Sequence, residues 1–478
     1  MTVAKNRLGS WHGCMMVAAA ALTMIPGSLP AAPAKAEIAR PDAENYALDL
    51  AKKAIALRSV EGQGNQTPQV AILFKQALVD SGFADSDVTI TPFEDTAYLI
   101  ARWPGSDPRL KPLVISGHMD VVEAKPADWQ RDPFTAVVEN GYLFGRGASD
   151  MKLSGALGIS ALRELRRTGF KPRRTIIIEF SGDEETAMKT SAIIAAKLKG
   201  AELVLNLDGG GGTLDDKTGK PKFFTWEGAE KIYGDYELTV TSPGGHSSAP
   251  RKPNAIDQLA AALVRIADHP FKPELNDLTR DYFTKAALYE APDIAAAMRA
   301  FAADPTDAKA IAVLSANPTF VGKIGTTCVT TMISGGHAPN ALPQRATANI
   351  NCRIFPGHSQ ADILADLKAK ADDPAVSIKF IEAGSTAADA SPMRSDLVSA
   401  VETSIRKAYP GVPVFASMAS GASDSANFRH EGVPSYGVGP IFSKPSDRFS
   451  HGLNERLSLA NLRPAITYLT SLIPALSE

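Results

Sequence analysis

Three short apolar runs constrain this chain more than any other feature: Pro112–His118, Thr175–Ser181 and Glu202–Leu207. Each is too short for a helix and ends at a polar or glycine-rich segment, as a strand buried on both faces does. Helical apolar spacing fills the intervals. Residues 43–58 and 67–81 carry it, and Asp150 to Arg167 presents Leu153, Leu157, Ala161 and Leu165 on one face before Gly169 stops the helix. Alternating helix and strand implies a mixed, mostly parallel α/β sheet sandwiched by helices.

The rhythm changes at Tyr233. A strand (233–241), helix (254–268), two strands (319–333 and 345–355), helix (359–371) and strand (375–382) follow. This β-α-β-β-α-β order predicts a two-layer domain inserted into the first. A stretch at 269–318, rich in Ala, Asp and Leu, has helical spacing and falls inside the insertion. From about Ser385 the alternation resumes. The expected organisation is a leader over 1–36, a first domain over 37–229 and 385–478, and an inserted domain over 230–384.

Lys5 and Arg7 precede the apolar run Met15–Ile25, and Ala34-Lys35-Ala36 supplies small residues where a signal peptidase reads. The run is too short to cross about 30 Å of hydrocarbon as a helix. Residues 1–36 therefore read as a cleaved secretory signal, placing the protein outside the cytoplasm, in a periplasm. No later segment reads as a span. Removing the leader leaves 47 basic and 52 acidic residues, a formal charge of −5. With no basic excess to neutralise phosphates, a nucleic-acid partner is not expected. Cys14 leaves with the leader. Cys328 and Cys352 lie in two neighbouring strand-like runs, as a cross-strand disulfide or as two buried thiols.

The ends of the predicted strands carry the chemistry. His118 and Asp120 close the first run, Glu184-Glu185 follow the second and Asp208 ends the third. Asp150 ends the turn Gly145-Arg-Gly-Ala-Ser-Asp, and His451 stands far away in Ser450-His-Gly-Leu-Asn-Glu. Singly, each suits an N-cap, a solvated helix start or a satisfied histidine. Together they place acids after three buried strands, where unpaired charge is costly and a cation compensates most simply. Two histidines and three carboxylates suit two Zn²⁺ ions sharing a bridging carboxylate, and mixed N/O ligation also admits Mn²⁺ or Co²⁺.

These motifs, with Gly244-Gly-His246-Ser-Ser, resemble the dizinc peptidase family of glutamate carboxypeptidase, carboxypeptidase S, aminoacylase and succinyl-diaminopimelate desuccinylase. The resemblance runs from about residue 42 to the C-terminus and is nearest to the carboxypeptidase S branch. It implies that His118, Asp208, Glu185 and His451 are terminal ligands, Asp150 bridges, Asp120 orients His118, and Glu184 is the general base. It further implies that His246 reaches a partner subunit's site in a homodimer built through the inserted lid domain. Asn340 and Arg353 would hold the substrate, the guanidinium gripping a terminal carboxylate.

The function implied is a secreted dizinc hydrolase of carboxypeptidase or dipeptidase type, cleaving a peptide or amide bond beside a free C-terminal carboxylate. An N-acyl amino acid amidase of aminoacylase type shares the same geometry. A non-catalytic binding protein on the same fold is the remaining class, and all five ligand positions and the base argue against it.

Overall fold

The computed structural model describes residues 42–382 and 384–478. The expected leader, with Cys14, lies outside the described residues. Among the described residues no helix is long and apolar enough to cross a membrane.

Four strands, Ile176–Ser181, Leu113–His118, Leu203–Asn206 and Ser435–Gly437, lie side by side in that order, all parallel. They form the centre of a ten-stranded mixed sheet. Val88–Phe93 and Thr96–Trp103 close one side antiparallel, and Pro221–Glu230, Gly211–Leu214 and Phe442–Ser443 extend the other. Val414–Ala419 adds parallel to Pro221–Glu230. Alternate residues of the central strands serve opposite faces. Ile115, Ile178 and Leu205 join the core beneath the helices Asp42–Ile55, Lys152–Arg167 and Leu462–Ser477. Val114, Ile177 and Val204 pack under Ile194, Ala195 and Phe428 on the helices Lys189–Lys197 and Ser425–His430. Burial on both faces explains why these strands lack polar alternation.

The second sheet is antiparallel, in the order Thr327–Gly335, Arg345–Ile354, Ile232–Thr241, Ser377–Ile381. The helices Ala255–Asp268 and Gln360–Ala371 share a separate core with one of its faces, including Tyr236, Leu238, Leu259, Ile350, Leu367 and Ile378. Asn254 caps the first helix, accepting from the Ile256 amide, and Ser359 with Asp362 forms a capping box on the second. Cys328 and Cys352 face each other in register and form a disulfide.

Two expectations change. The sequence pattern puts the 269–318 stretch within the inserted domain, but its helices Asp277–Ala286, Pro292–Ala303 and Ala308–Ser315 pack elsewhere. Phe283, Met298, Phe301 and Leu314 form a cluster with Phe223 and Phe415, which belong to the large sheet. Asp281 also accepts a hydrogen bond from the Ala416 amide at 2.9 Å. Helical periodicity reveals an apolar face and not its partner, so the chain's return to the first sheet was hidden. The strand expected at 319–333 starts only at Thr327, because Asn317 caps a short helix, Pro318–Val321, with proline in its first turn.

Candidate metal centre

His118 ends the central strand beside Ser181, its register partner, so its side chain emerges at the carboxyl edge of the sheet. Open α/β sheets collect their sites at this edge. Asp208, two residues beyond the strand Leu203–Asn206, and Glu184-Glu185, just beyond Ile176–Ser181, converge on it. Asp150 arrives from the turn before the helix Lys152–Arg167, and His451 from a distant loop.

Asp150 is the centre of the cluster. Its Oδ1 lies 3.1 Å from His118 Nε2, and its Oδ2 lies 3.2 Å from His451 Nε2. Asp208 Oδ2 is 3.6 Å from the same His118 nitrogen, while Glu185 Oε2 is 2.9 Å from His451 Nε2. Two donor sets therefore share one carboxylate: His118, Asp150 and Asp208, and Asp150, Glu185 and His451. In each set one nitrogen or oxygen per residue lies within 4.8 Å of the others, close enough to hold a metal ion. Glu184 stands beside both, within the same limit of His118 and Glu185.

The charge distribution points the same way. Burial pushes Asp208 up to about 8, and the charge of Asp150 adds to this. Burial also raises Glu184 well above the usual carboxylate range, reinforced by Asp208, Asp424 and Glu185. Burial alone would raise Asp150, but hydrogen bonds from His118 and His451 hold it below that range. Hydrogen bonds to Asp150 and Glu185 lift His451 to about 10. A buried group of acids that, among the described residues, is faced by the imidazoles of His118 and His451 suits a cation by its donor chemistry.

Asp120 has two tasks. His118 Nδ1 lies 3.0 Å from its backbone oxygen and 3.6 Å from its carboxylate. The same carboxylate accepts from the backbone amides of Glu184 at 3.1 Å and Glu185 at 2.9 Å, fixing the turn that carries both acids.

Two supporting residues escaped sequence reasoning. Glu455 is fully buried. Its Oε1 accepts from the amides of Ser149 and Asp150 at 2.7 and 3.0 Å, and its Oε2 from Arg146 Nη1 at 2.7 Å and the Gly147 amide at 3.1 Å. It thus pins the Asp150 turn to the segment that carries His451. Its only sequence signal is the spacing four residues after His451. Asp424, also buried, accepts from the hydroxyls of Ser181 and Ser191 and is raised to about 7, mainly by burial.

The remaining sequence candidates lie on the inserted domain. His246 and Asn340 are exposed neighbours, joined where the Ser247 amide donates to the Asn340 carbonyl at 3.0 Å. The Arg353 guanidinium lies 4.8 Å over the Tyr233 ring, on the sheet face opposite the small core. No hydrogen bond or ion pair among the described residues ties any of the three to the cluster.

Comparison with known proteins places the chain in a class. Residues 114–475 match peptidase family M20/M25/M40, and the chain belongs to that family. It is a metallopeptidase or a related amidohydrolase, and proteins named as a probable carboxypeptidase and as an N-fatty-acyl-amino acid synthase/hydrolase are among its homologues. Probable carboxypeptidase S-like 2 of Dictyostelium discoideum is 29% identical over 386 residues, covering 78% of this chain and 73% of that protein. The N-fatty-acyl-amino acid synthase/hydrolase PM20D1 of Mus musculus is 28% identical over 387 residues, covering 77% and 75%. Among solved structures, the M20 family metallo-carboxypeptidase Sso-CP2 of Sulfolobus solfataricus shares the fold. Its TM-score is 0.68 at 20% identity, over 90% of this chain and 98% of that one.

The Glu455 clamp yields a prediction. Glu455→Gln keeps the size but turns one acceptor into a donor facing amide hydrogens, so the Asp150 turn should loosen. Affinity for Zn²⁺, measured by competition with a chromogenic chelator, should fall about 10- to 100-fold, as for other residues that orient ligands. Wild-type affinity in a folded variant would contradict the clamp.

Proposed function

We propose that the protein hydrolyses a peptide or amide bond next to a free C-terminal carboxylate, using two divalent ions, with zinc as the resident metal. The observation that carries this reading is the Asp150 carboxylate, which turns one oxygen to His118 and the other to His451. His118, Asp208 and Asp150 would hold one ion, and His451, Glu185 and Asp150 the other. The bound ions would supply Lewis-acid polarisation of the scissile carbonyl and a lowered pKa for the attacking water.

The chain's own residues do the rest. Glu184 takes the proton of the attacking water on its carboxylate and delivers it to the leaving amine. Its burial among acids raises its proton affinity, which suits a group that must both accept and release a proton near neutral pH. Asp120 holds His118 in orientation and keeps Glu184 and Glu185 in adjacent but different directions. Arg353 grips the substrate carboxylate with two parallel hydrogen bonds. His246, exposed on the inserted domain, meets the scissile carbonyl at the site of a second subunit in a homodimer, and Asn340, exposed beside it, helps to hold the substrate.

N-acyl amino acids fit the same arrangement, since an amide beside a carboxylate is common to both substrate classes. The mouse relative's name describes that activity for that protein. We further infer export: residues 1–36 have the pattern of a cleaved signal, and the Cys328–Cys352 disulfide suits an oxidising compartment such as the periplasm. N-terminal sequencing of the exported protein should begin at Glu37, and an intact Met1 would count against processing.

Glu184 and Glu185 have the same chemistry, and their variants should differ. Glu184→Gln should keep near wild-type metal content while kcat falls at least about 10²-fold. Glu185→Gln should lose metal affinity as well. Elemental analysis and steady-state kinetics decide this, and a Glu184→Gln enzyme with near-normal kcat would remove Glu184 as the base. In the same assay, Arg353→Ala should penalise free-acid substrates more than their amides, and equal penalties would remove Arg353 from the carboxylate site.

Dimeric action of His246 is tested by subunit mixing. His246→Ala and Glu184→Gln chains, each nearly inactive alone, should regain activity when exchanged into heterodimers, where one composite site is intact. Exchanged dimers that stay inactive would show that His246 does not act across subunits.

A further inference from the structure

A cavity of about 760 Å³ opens directly from the metal centre. Asp208 lines it, as do Ser149 and Ser450, the neighbours of Asp150 and His451. Its size falls in the range of about 300–1,000 Å³ typical of sites that enclose a ligand of many atoms. Its far wall comes from the stretch that returns to the large sheet: Tyr282, Glu290, Thr319 and Lys323. The 269–318 helices and the segment after them therefore help to enclose space beside the reaction centre.

With Asp208 counted in the metal cluster, the other charged groups lining this cavity leave an excess of one cation. Lys222 pairs with Glu290 at 3.3 Å, and Arg456 with Asp447 at 2.6 Å. Arg448 and Lys323 have no carboxylate within 4.0 Å among the described residues. Arg448 is exposed to the cavity mouth and makes only long hydrogen bonds, 3.3 Å to Ser443 Oγ and 3.5 Å to Thr213 Oγ1. Lys323 Nζ donates to Ser417 Oγ at 3.0 Å and to the Met418 carbonyl, and lies 4.9 Å over the Tyr282 ring, so one N–H remains. Glu227 is the remaining acid in the cavity outside the metal cluster and the two ion pairs. It accepts from the Gly210 amide at 2.7 Å and offsets one of the two cations. Burial lowers Lys323 below the usual lysine range, Glu227 offsets this and Arg448 adds to it, so the three groups share one region.

From this geometry we infer that the cavity is the subsite for the acyl side of the substrate, and that Arg448 and Lys323 select an acyl group bearing its own carboxylate. The inference rests on the hydrolase reading above. It assigns the side of the scissile bond away from Arg353, so a preferred substrate carries two anionic groups, one on each side. An acyl carboxylate has two sources, a dicarboxylic acyl chain or an acidic residue preceding the scissile bond. Both present the same group to a guanidinium, which binds it in a fork.

The test compares matched substrates on the metal-loaded enzyme: glutaryl-leucine against valeryl-leucine, and N-acetyl-Glu-Leu against N-acetyl-Gln-Leu. The wild type should favour the charged member of at least one pair by about 10-fold or more in kcat/KM, and which pair responds identifies the source. Arg448→Gln, at an exposed position, should lower that preference about 10- to 100-fold, the range of a charge-assisted hydrogen bond. Lys323→Gln should lower it in the same direction. A wild type that favours the uncharged members, or a preference that survives Arg448→Gln, would overturn the assignment.

Calorimetric binding of glutarate against valerate to wild type and Arg448→Gln makes the same comparison without turnover. Tighter glutarate binding that is lost in the variant supports the subsite, and equal binding overturns it. An enzyme that cleaves none of the four substrates would count against the hydrolase reading alone, because the binding comparison still decides the subsite.

Discussion

The repulsion among Asp150, Glu184, Glu185 and Asp208 is the constraint to which the rest of the structure answers. Acids gathered at the edge of a buried sheet lose hydration and raise one another's proton affinity, as the shifts of Asp208 and Glu184 show. Folding tolerates such a group only where positive charge is supplied. Two imidazoles supply part of it, each facing one oxygen of Asp150. Divalent cations would supply the remainder, and binding energy of that kind adds directly to stability.

Such a cluster works only if its members are held still, and the supporting contacts come from backbone amides and buried acids. Asp120 takes the amides of Glu184 and Glu185, so two adjacent acids leave the chain in fixed and different directions. Glu455 takes the amides around Asp150 and pairs with Arg146, a buried ion pair whose acceptor atoms are fully used. Breaking such a pair typically costs about 3–5 kcal/mol, because it leaves one charge buried alone. The Glu455 contacts link the first half of the chain to its last thirty residues, so the candidate metal centre and the tertiary fold depend on each other.

Much of this was legible in the sequence for a physical reason. Uninterrupted apolar runs ending in His118, Ser181 and Leu207 are costly to place anywhere but the middle of a covered sheet, and ionisable groups at such ends converge. The inserted sheet was legible from its alternating strands, with Ile350, Cys352 and Ile354 facing the small core and Asn351 and Arg353 facing away. Glu455 and Asp424 were not, because a single acid in a loop reads as surface until its partners are known. Nor was the placement of Phe283 and Phe301, whose helices could have covered either sheet. Their packing against Phe223 and Phe415 depends on contacts far apart in sequence.

In the proposed mechanism one carboxylate, that of Asp150, serves two metal ions. Anomalous diffraction from crystals of the zinc-loaded enzyme tests it most directly. Two peaks are expected, one on each side of the Asp150 carboxylate, the first also touching His118 and Asp208 and the second His451 and Glu185. A single peak under saturating zinc, or two ions that do not share Asp150, would contradict it.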